Sequence, residues 1–288
     1  MTTRMHPEMK LGVVKLKVSD LDRSIRFYEQ VVGLKVLSRT PRTAEFTADG
    51  STVLAAVEQI PDAVVVPRRA VSGLYHFALL LPTRKDLGKS LRNLVASGIP
   101  IGQADHLVSE ALYIYDPDNN GIEIYWDRPR DRWKRDENGN VLMASEPIDW
   151  DGLLKEAEDE PWTALPAGTT IGHVHFHVAD LDKSREFYCD ILGLDMIVDA
   201  SRQMGALFIS AGGYHHHIGL NIWAGVGAPA APENGTGLAS FTVVMPTKDA
   251  LAQTVGRLRA GGVEVADKEG QWYAKDPSGI LMRIIASE

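Results

Sequence analysis

The chain has 288 residues, of which 44% are hydrophobic and 24% charged, and 30 basic against 38 acidic side chains give a formal net charge of −8. These proportions exclude intrinsic disorder, and the acidic balance argues against a nucleic-acid partner, which would need a basic surface for phosphates. The single cysteine, Cys189, excludes an internal disulfide. The N-terminus lacks the apolar core of a signal peptide, and no apolar run approaches the roughly 20 residues of a bilayer span. We therefore expect a soluble, cytoplasmic protein without a membrane or nucleic-acid partner.

The first predicted elements alternate between strand and helix. A strand pattern over 13–18 leads to Asp20, which is a typical helix N-cap, and apolar residues then recur at helical spacing until Gly33. Short strand-like runs follow at 43–47 and 53–57. The same order then recurs as a strand over 75–81, a helix over 84–97 that ends at Gly98, and strands over 112–115 and 121–126.

The next segment, residues 128–170, is rich in charge, proline and tryptophan. Within 146–160 there are seven acidic residues against one basic residue, Lys155. This composition is typical of a solvated acidic linker with a short helix over 151–158. The alternative is that Trp133, Trp150 and Trp162 pack against the rest of the protein.

The remainder of the chain repeats the first part. Residues 18–34 read VSDLDRSIRFYEQVVGL and residues 178–194 read VADLDKSREFYCDILGL, with nine of 17 positions identical. Two further pairs are collinear with this match: GLYHFALLLPTRKDL from Gly73 with GLASFTVVMPTKDAL from Gly237, and DPDNNGIEIY from Asp116 with DPSGILMRII from Asp276. Three matches at nearly one spacing indicate a duplication. We number its four β-α-β-β(-β) units in chain order, as 11–58, 74–127, 171–223 and 238–286, and expect two domains, 1–127 and 171–288.

These motifs resemble the vicinal oxygen chelate superfamily, which includes glyoxalases, bleomycin resistance proteins and extradiol dioxygenases. The stretches HLVSEALYIYDPDNNGIEIYW (106–126) and GGYHHHIGLNIW (212–223) are similar to its ring-cleaving, catechol 2,3-dioxygenase-like branch. The resemblance implies an α+β fold of four βαβββ units, paired into two open, cup-shaped barrels. It also implies a metal ion inside a cup.

The resemblance further implies which residues hold the metal. His173 in unit three, and His76 and Glu123 in unit two, occupy the ligand positions of the family. The corresponding positions in units one and four are Val13, Ser240 and Arg283. A two-histidine, one-carboxylate set suits Fe(II), with Mn(II) as the alternative. Unit two must then meet unit three, within one chain or across a swapped dimer, and a homodimer is a candidate assembly.

Other histidines are expected around this metal. His173, His175 and His177 alternate along one strand and so face one side, which makes His175 a candidate substrate contact and His177 a rim residue. In the run 214–217, which we place in the last strand of unit three, His216 matches the histidine that the family uses as an acid/base. His217 remains its rival, and a candidate substrate contact, because a misalignment of one residue exchanges the two.

Unit two supplies two further candidates. The resemblance implies that Tyr113 hydrogen-bonds a substrate oxygen, which places it with His216 as catalytic. His106 resembles a substrate-binding histidine of the pocket. The loops 59–73 and 225–236 are expected to line the pocket.

The function implied is a ring-cleaving dioxygenase that acts on a catechol or hydroquinone-like aromatic diol and O2. One alternative is a metal-dependent lyase or isomerase similar to glyoxalase I, but such sites carry a second carboxylate where this chain has Gly219. Another alternative is a metal-free small-molecule binding protein of the resistance type. The three ligand positions argue against it.

Overall fold

The structure, a computed structural model, describes residues 4–287 and forms two eight-stranded sheets with helices packed on their outer faces. The strands of the first two units are β1 (Lys10–Val18), β2 (Lys35–Arg39), β3 (Thr43–Thr47), β4 (Val53–Gln59), β5 (Gly73–Leu81), β6 (Gly102–Asp105), β7 (Ser109–Tyr115) and β8 (Gly121–Asp127). The strands of the last two units are β9 (Thr170–His177), β10 (Asp195–Ala200), β11 (Ala206–Ser210), β12 (Ile218–Asn221), β13 (Gly237–Met245), β14 (Val265–Lys268), β15 (Gln271–Lys275) and β16 (Leu281–Ala286). The α+β class is confirmed.

Most of the α-helices lie between the first and second strands of a unit; one lies in the connecting segment, and one lies between the second and third strands of unit three. They are α1 (Leu21–Phe27), α2 (Arg84–Ser97), α3 (Trp150–Glu156), α4 (Leu181–Arg185), α5 (Ser201–Met204) and α6 (Lys248–Ala260), and α1 and α4 continue as π-helical turns over Tyr28–Val32 and Glu186–Ile191. Between residues 4 and 287, none of the helices has the length and apolar character that crossing a bilayer requires.

Each sheet combines one unit from each half of the chain. One sheet has the order β14-β15-β16-β13-β1-β4-β3-β2, and the other has the order β10-β11-β12-β9-β5-β8-β7-β6. The first joins units four and one through the antiparallel pair β1–β13, and the second joins units three and two through β5–β9. The chain therefore brings units two and three together within a single molecule.

Alternation along the central strands separates a core face from a cup face. In β9, Val174 and Phe176 are fully buried, and each contributes roughly 1.5–3 kcal/mol of apolar burial. The Phe176 ring lies 5.0 Å from that of Phe241 on β13, so the core faces of the two sheets meet here. The alternating His173, His175 and His177 project to the opposite, concave face. There the rings of His173 and His175 contact that of His76, and the ring of His177 contacts that of Tyr75. The sheet thus lines one cup with imidazoles.

The repeated motifs contact each other. Asp20 caps α1 through a backbone N–H group, as the sequence predicts, and Asp180, its counterpart in the repeat, caps α4 in the same way. The tyrosine that follows each helix then donates a hydrogen bond to the aspartate of the Asp-Pro turn in the next unit: Tyr28 to Asp116 at 3.2 Å and Tyr188 to Asp276 at 3.1 Å. Each half is therefore held together by the same buried contact.

The segment 128–170 differs from the solvated linker that its composition predicts. It buries Trp133, Ile148, Leu153 and Leu165, and α3 packs on α2. Arg84 on α2 pairs with Glu156 of the segment at 2.8 Å and with Glu110 of β7 at 2.5 Å. Three of the seven acidic side chains that suggested solvation instead pair with basic residues of α2: Asp149 and Glu156 with Arg84, and Glu160 with Lys85 and Lys89.

Candidate active site

Three adjacent strands of the second sheet supply the predicted metal ligands. His173 lies on β9, His76 on β5 and Glu123 on β8. Ala78 on β5 pairs with His173 across the antiparallel ladder to β9 and with Glu123 across the parallel ladder to β8. Because Ala78 has a small side chain, the imidazole and the carboxylate can approach each other above it.

The three side chains converge on one point. The Nε2 atoms of His76 and His173 each lie 3.0 Å from the same carboxylate oxygen, Oε2 of Glu123. Their ligand atoms are all within 4.8 Å of one another, and each residue is at most 5% exposed. His173 hydrogen-bonds this oxygen, whereas both ring nitrogens of His76 are buried without a hydrogen-bond partner.

This arrangement fits a divalent cation. Burial alone would raise the pKa of Glu123, but the two histidines hold the pKa well below its ordinary value, so the carboxylate is charged. Burial lowers the pKa of His76, partly offset by Glu123, which keeps this imidazole neutral and able to ligate. In the described part of the chain the ion pairs of Glu123 are with these two histidines, and a cation would satisfy all three groups.

His175 occupies the space where a second carboxylate would have to enter. Its ring lies over Gly219, its register partner on β12, and a Cβ built on this glycine would stand 2.7 Å from the ring. The ring also lies 5.0 Å from that of His76, and its Nε2 is buried without a partner. Burial, then the neighbouring histidines, lower the pKa of His175 far below its usual value. The site therefore has an imidazole where the glyoxalase alternative requires an acid.

Tyr113 and His106 form a directed pair on the opposite wall. His106 Nδ1 lies 2.6 Å from the carbonyl of Ala144, which only accepts, so Nδ1 carries the proton and Nε2 is an acceptor. The Tyr113 hydroxyl, 2.7 Å from that Nε2, therefore donates to it. Burial, then the charge of Glu123, raise the pKa of Tyr113 well above its usual value, which keeps the phenol protonated.

The run 214–217 precedes β12 rather than lying in it, so its side chains do not alternate as the sequence predicts. His216 lines the cavity with its ring 4.1 Å from that of His173. His217 lies outside the cavity lining, because its Nδ1 accepts from Ser210 Oγ at 2.8 Å and from the backbone of Ala211. His215 is fully buried behind His216. The predicted contact between His217 and substrate does not match this position.

A cavity of about 440 Å³ opens in front of these groups. The predicted site residues that line it are His76, His106, Tyr113, Glu123, His175 and His216. His173 lies beneath these residues. His177 lines a neighbouring cleft, and its Nδ1 lies 2.6 Å from Oδ1 of Asn221.

The cavity wall also includes residues that the sequence interpretation missed. Met143–Ser145 come from the acidic segment, and Val198, Ala200 and Met204 come from β10 and α5. The loops 59–73 and 225–236 contribute instead to the separate cleft beside His177, so the expectation that they line this pocket is wrong. No sequence signal marked 143–145, because a chain segment between domains has no periodicity that reveals a tertiary contact.

Within residues 4–287, the fold and the buried group together define a paired βαβββ protein with one potential metal centre. The profile of the Glyoxalase/Bleomycin resistance protein/Dioxygenase superfamily matches residues 10–124 and 170–284. The chain belongs to this superfamily.

Individual relatives agree with this membership. The catechol-2,3-dioxygenase of Bacillus subtilis (strain 168) is 52% identical over 275 residues, which cover 96% of this chain and 96% of that protein. The metallothiol transferase FosB of Lysinibacillus sphaericus (strain C3-41) is 30% identical over 118 residues, 40% of this chain and 80% of that protein. Glyoxalase I from Zea mays superposes with a TM-score of 0.55 at 16% identity, covering 97% of this chain and 92% of its own, and shares the fold.

Proposed function

We propose that this chain is a metal-dependent extradiol-type dioxygenase that opens the ring of a catechol or hydroquinone-like aromatic diol with O2. The observation that carries the proposal is the buried convergence of His76 and His173 on one oxygen of Glu123, at the floor of a cavity that also contains Tyr113 and His216. The 52% identity to a catechol-2,3-dioxygenase over nearly the whole chain supports the same chemistry.

The ligand set favours Fe(II) as the metal, with Mn(II) as the alternative. When bound, such an ion supplies charge stabilisation and a common template for the two diol oxygens and O2. His76, His173 and Glu123 hold it, and the surrounding apolar strands limit the access of water.

The remaining polar groups act on the diol. His216, neutral because burial and then its histidine neighbours lower its pKa well below its usual value, accepts a proton from a diol hydroxyl. Tyr113, whose hydroxyl is directed by His106, hydrogen-bonds a diol oxygen, and His175 contacts the ring from the side of Gly219.

The cavity lining favours an uncharged, apolar ring substituent. Apart from the metal-facing groups, the lining consists of neutral side chains, including Met143, Val198, Met204, Phe208 and Trp223, and it contains no lysine or arginine among the described residues. A carboxylated catechol would bury an unpaired charge there. We expect kcat/KM for 3,4-dihydroxybenzoate to be at least about 10-fold below that for an alkylcatechol of similar size, since a buried polar group left unpaired costs about 1–3 kcal/mol and a charged group costs more.

The test begins with metal-free protein loaded anaerobically with Fe(II) or Mn(II), followed by a catechol and air-saturated buffer. We expect oxygen consumption equal to substrate loss, with a ring-opened product that absorbs in the visible range. Absence of turnover with every catechol and hydroquinone tried would refute the proposal. Turnover of a thiohemiacetal with Ni(II) or Zn(II) would instead indicate the glyoxalase alternative.

Metal content tests the ligand set independently of turnover. We expect His76→Ala, His173→Ala and Glu123→Ala each to lose bound metal, measured by elemental analysis after gel filtration. His6→Ala is the matched control, since this half-buried histidine lies in the N-terminal segment, where its side chain accepts a hydrogen bond from the backbone N–H of Glu8. Full metal content in all three ligand variants would show that the ion binds elsewhere.

A further inference from the structure

A chain of hydrogen bonds extends from His216 away from the cavity. His216 Nδ1 lies 2.8 Å from Nδ1 of His215, and His215 Nε2 lies 2.8 Å from Oδ1 of Asp127 at the end of β8. His215 is fully buried, and Asp127 is partly exposed. Neither residue lines the cavity, and the proposed function assigns no role to either.

The direction of each bond follows from the chemistry of the groups. An ionised carboxylate only accepts hydrogen bonds, so His215 Nε2 carries a proton and donates to Asp127. In neutral His215 the Nδ1 atom is then an acceptor, and the short contact requires that His216 Nδ1 donate to it. In neutral His216 the proton therefore sits on Nδ1, and Nε2 has a free lone pair.

We propose that Asp127 and His215 are positioning residues that hold His216 in the Nδ1–H tautomer and orient its Nε2 lone pair into the cavity. The role of His216 toward substrate rests on the proposed function, but its tautomer does not. The arrangement explains why consecutive histidines occur in a loop: one faces the cavity, and the one before it links the first to a carboxylate.

The surroundings keep the carboxylate in place. The Tyr214 hydroxyl donates to the other oxygen of Asp127 at 2.8 Å, and Tyr125 donates to Tyr214 at 2.6 Å. The Tyr125 hydroxyl passes directly over Gly172 on β9, where a Cβ would stand 1.7 Å from it. Both carboxylate oxygens are thus engaged, which favours one orientation of Asp127 toward His215.

The direct test is nuclear magnetic resonance of the metal-free full chain labelled with 15N-histidine. Long-range 1H–15N correlations distinguish the two neutral tautomers, and the spectra of His215→Asn and His216→Gln assign the two rings. We expect His215 to be protonated at Nε2 and His216 at Nδ1. Finding His216 protonated at Nε2 overturns the proposal whether or not the protein turns over catechols.

Kinetics of the metal-loaded enzyme test whether the orientation of His216 by His215 contributes to kcat. His215→Phe removes the acceptor for His216 Nδ1, and we expect kcat to fall about 10²-fold, within the range of general acid–base contributions, with little change in KM. His215→Asn offers its amide oxygen near the position of Nδ1 and should recover most of the loss. Ser210→Ala is the matched control, because it removes the hydrogen bond to the neighbouring His217 and leaves the chain from His216 through His215 to Asp127 intact.

The tautomer measurement and the kinetics together distinguish failure of the positioning role from failure of the proposed function. If the expected tautomers appear but no catechol is turned over, the proposed function fails and the positioning by His215 stands. If catechols are turned over but His215→Phe retains the kcat of Ser210→Ala at equal metal content, the positioning role is refuted and the proposed function stands.

Discussion

Single small residues set how closely the site histidines approach one another. Ala78 leaves room for His173 and Glu123 to meet above it, and Gly219 lets the His175 ring lie flat against β12. Any larger side chain at these positions would project into the cup. Because packed interiors relax only partly, such a change displaces the imidazole above it.

Gly219→Ala tests this packing. We expect the added methyl group to lower the free energy of unfolding by about 1–3 kcal/mol through its clash with the His175 ring. In a His175→Ala background the same change should cost little, because the ring is gone. Thermal or denaturant unfolding of the four proteins gives the coupling energy, and simple additivity would contradict the contact.

At the scale of elements, the contact between α2 and α3 determines how the acidic segment lies on unit two. Gly88 faces α3, and a Cβ on it would stand 2.2 Å from the carbonyl oxygen of Leu153. Gly256 in α6 is exposed and has no atom near an added Cβ. An added side chain therefore clashes at Gly88 and is accommodated at Gly256.

We expect Gly88→Ala to destabilise the protein by about 1–3 kcal/mol, because the helices must move apart. Gly256→Ala should stabilise it by about 0.5–1 kcal/mol, since alanine has the higher helix propensity. Denaturant unfolding of both variants measures the difference. Equal effects of the two changes would show that α3 does not pack closely on Gly88.

The buried aspartates of the Asp-Pro turns make the free energy of unfolding depend on pH. Burial raises the pKa of Asp276 from 3.8 to about 6, even though backbone groups and Tyr188 donate hydrogen bonds to it. A folded-state pKa above the unfolded value means that the folded state binds the proton more tightly. Its stability therefore falls as pH rises from about 4 through 6, which is opposite to the behaviour of a salt-bridged carboxylate.

Asp276→Asn removes this titration while keeping an acceptor for the backbone. For the metal-free protein, we expect the wild-type chain to gain about 2–3 kcal/mol in unfolding free energy relative to the asparagine variant when pH falls from 7 to 4. Denaturant unfolding at several pH values measures the difference. A difference that stays constant with pH would mean that Asp276 is not perturbed.

At the scale of the whole molecule, the order of the strands makes the two halves of the chain interdependent. Each sheet takes one unit from residues before the acidic segment and one from residues after it. His76 and Glu123 belong to the first part and His173 to the second. Neither part contains all three predicted ligands.

We therefore expect the separate fragments 1–127 and 128–288 to retain no metal through gel filtration, and their mixture to bind it. A mixture in which the first fragment carries Glu123→Ala is the control, since it should associate without binding metal. Metal retention by the fragment 128–288 alone would contradict a site shared between units two and three.

Sequence by itself determined the elements of this protein and where its chemistry would concentrate. The repeat, the caps at Asp20 and Asp180 and the alternation of β9 are local patterns, so the four units and the histidine face of β9 could be predicted from them. The family resemblance added His76, Glu123 and His173 as a candidate ligand set. The structure brings these three together, and their binding of a metal stays a prediction.

Only the tertiary structure decided that units two and three pair within one chain, which of the three consecutive histidines meets the cavity, and that residues 143–145 line it. Backbone hydrogen bonds between strand edges are the same for any two strands, so the local pattern does not specify the partner. The direction of a side chain in a loop such as 214–217 depends on its partners, here Asp127 and Ser210, which are distant or unmarked in the sequence. Such choices depend on the packing of the complete chain.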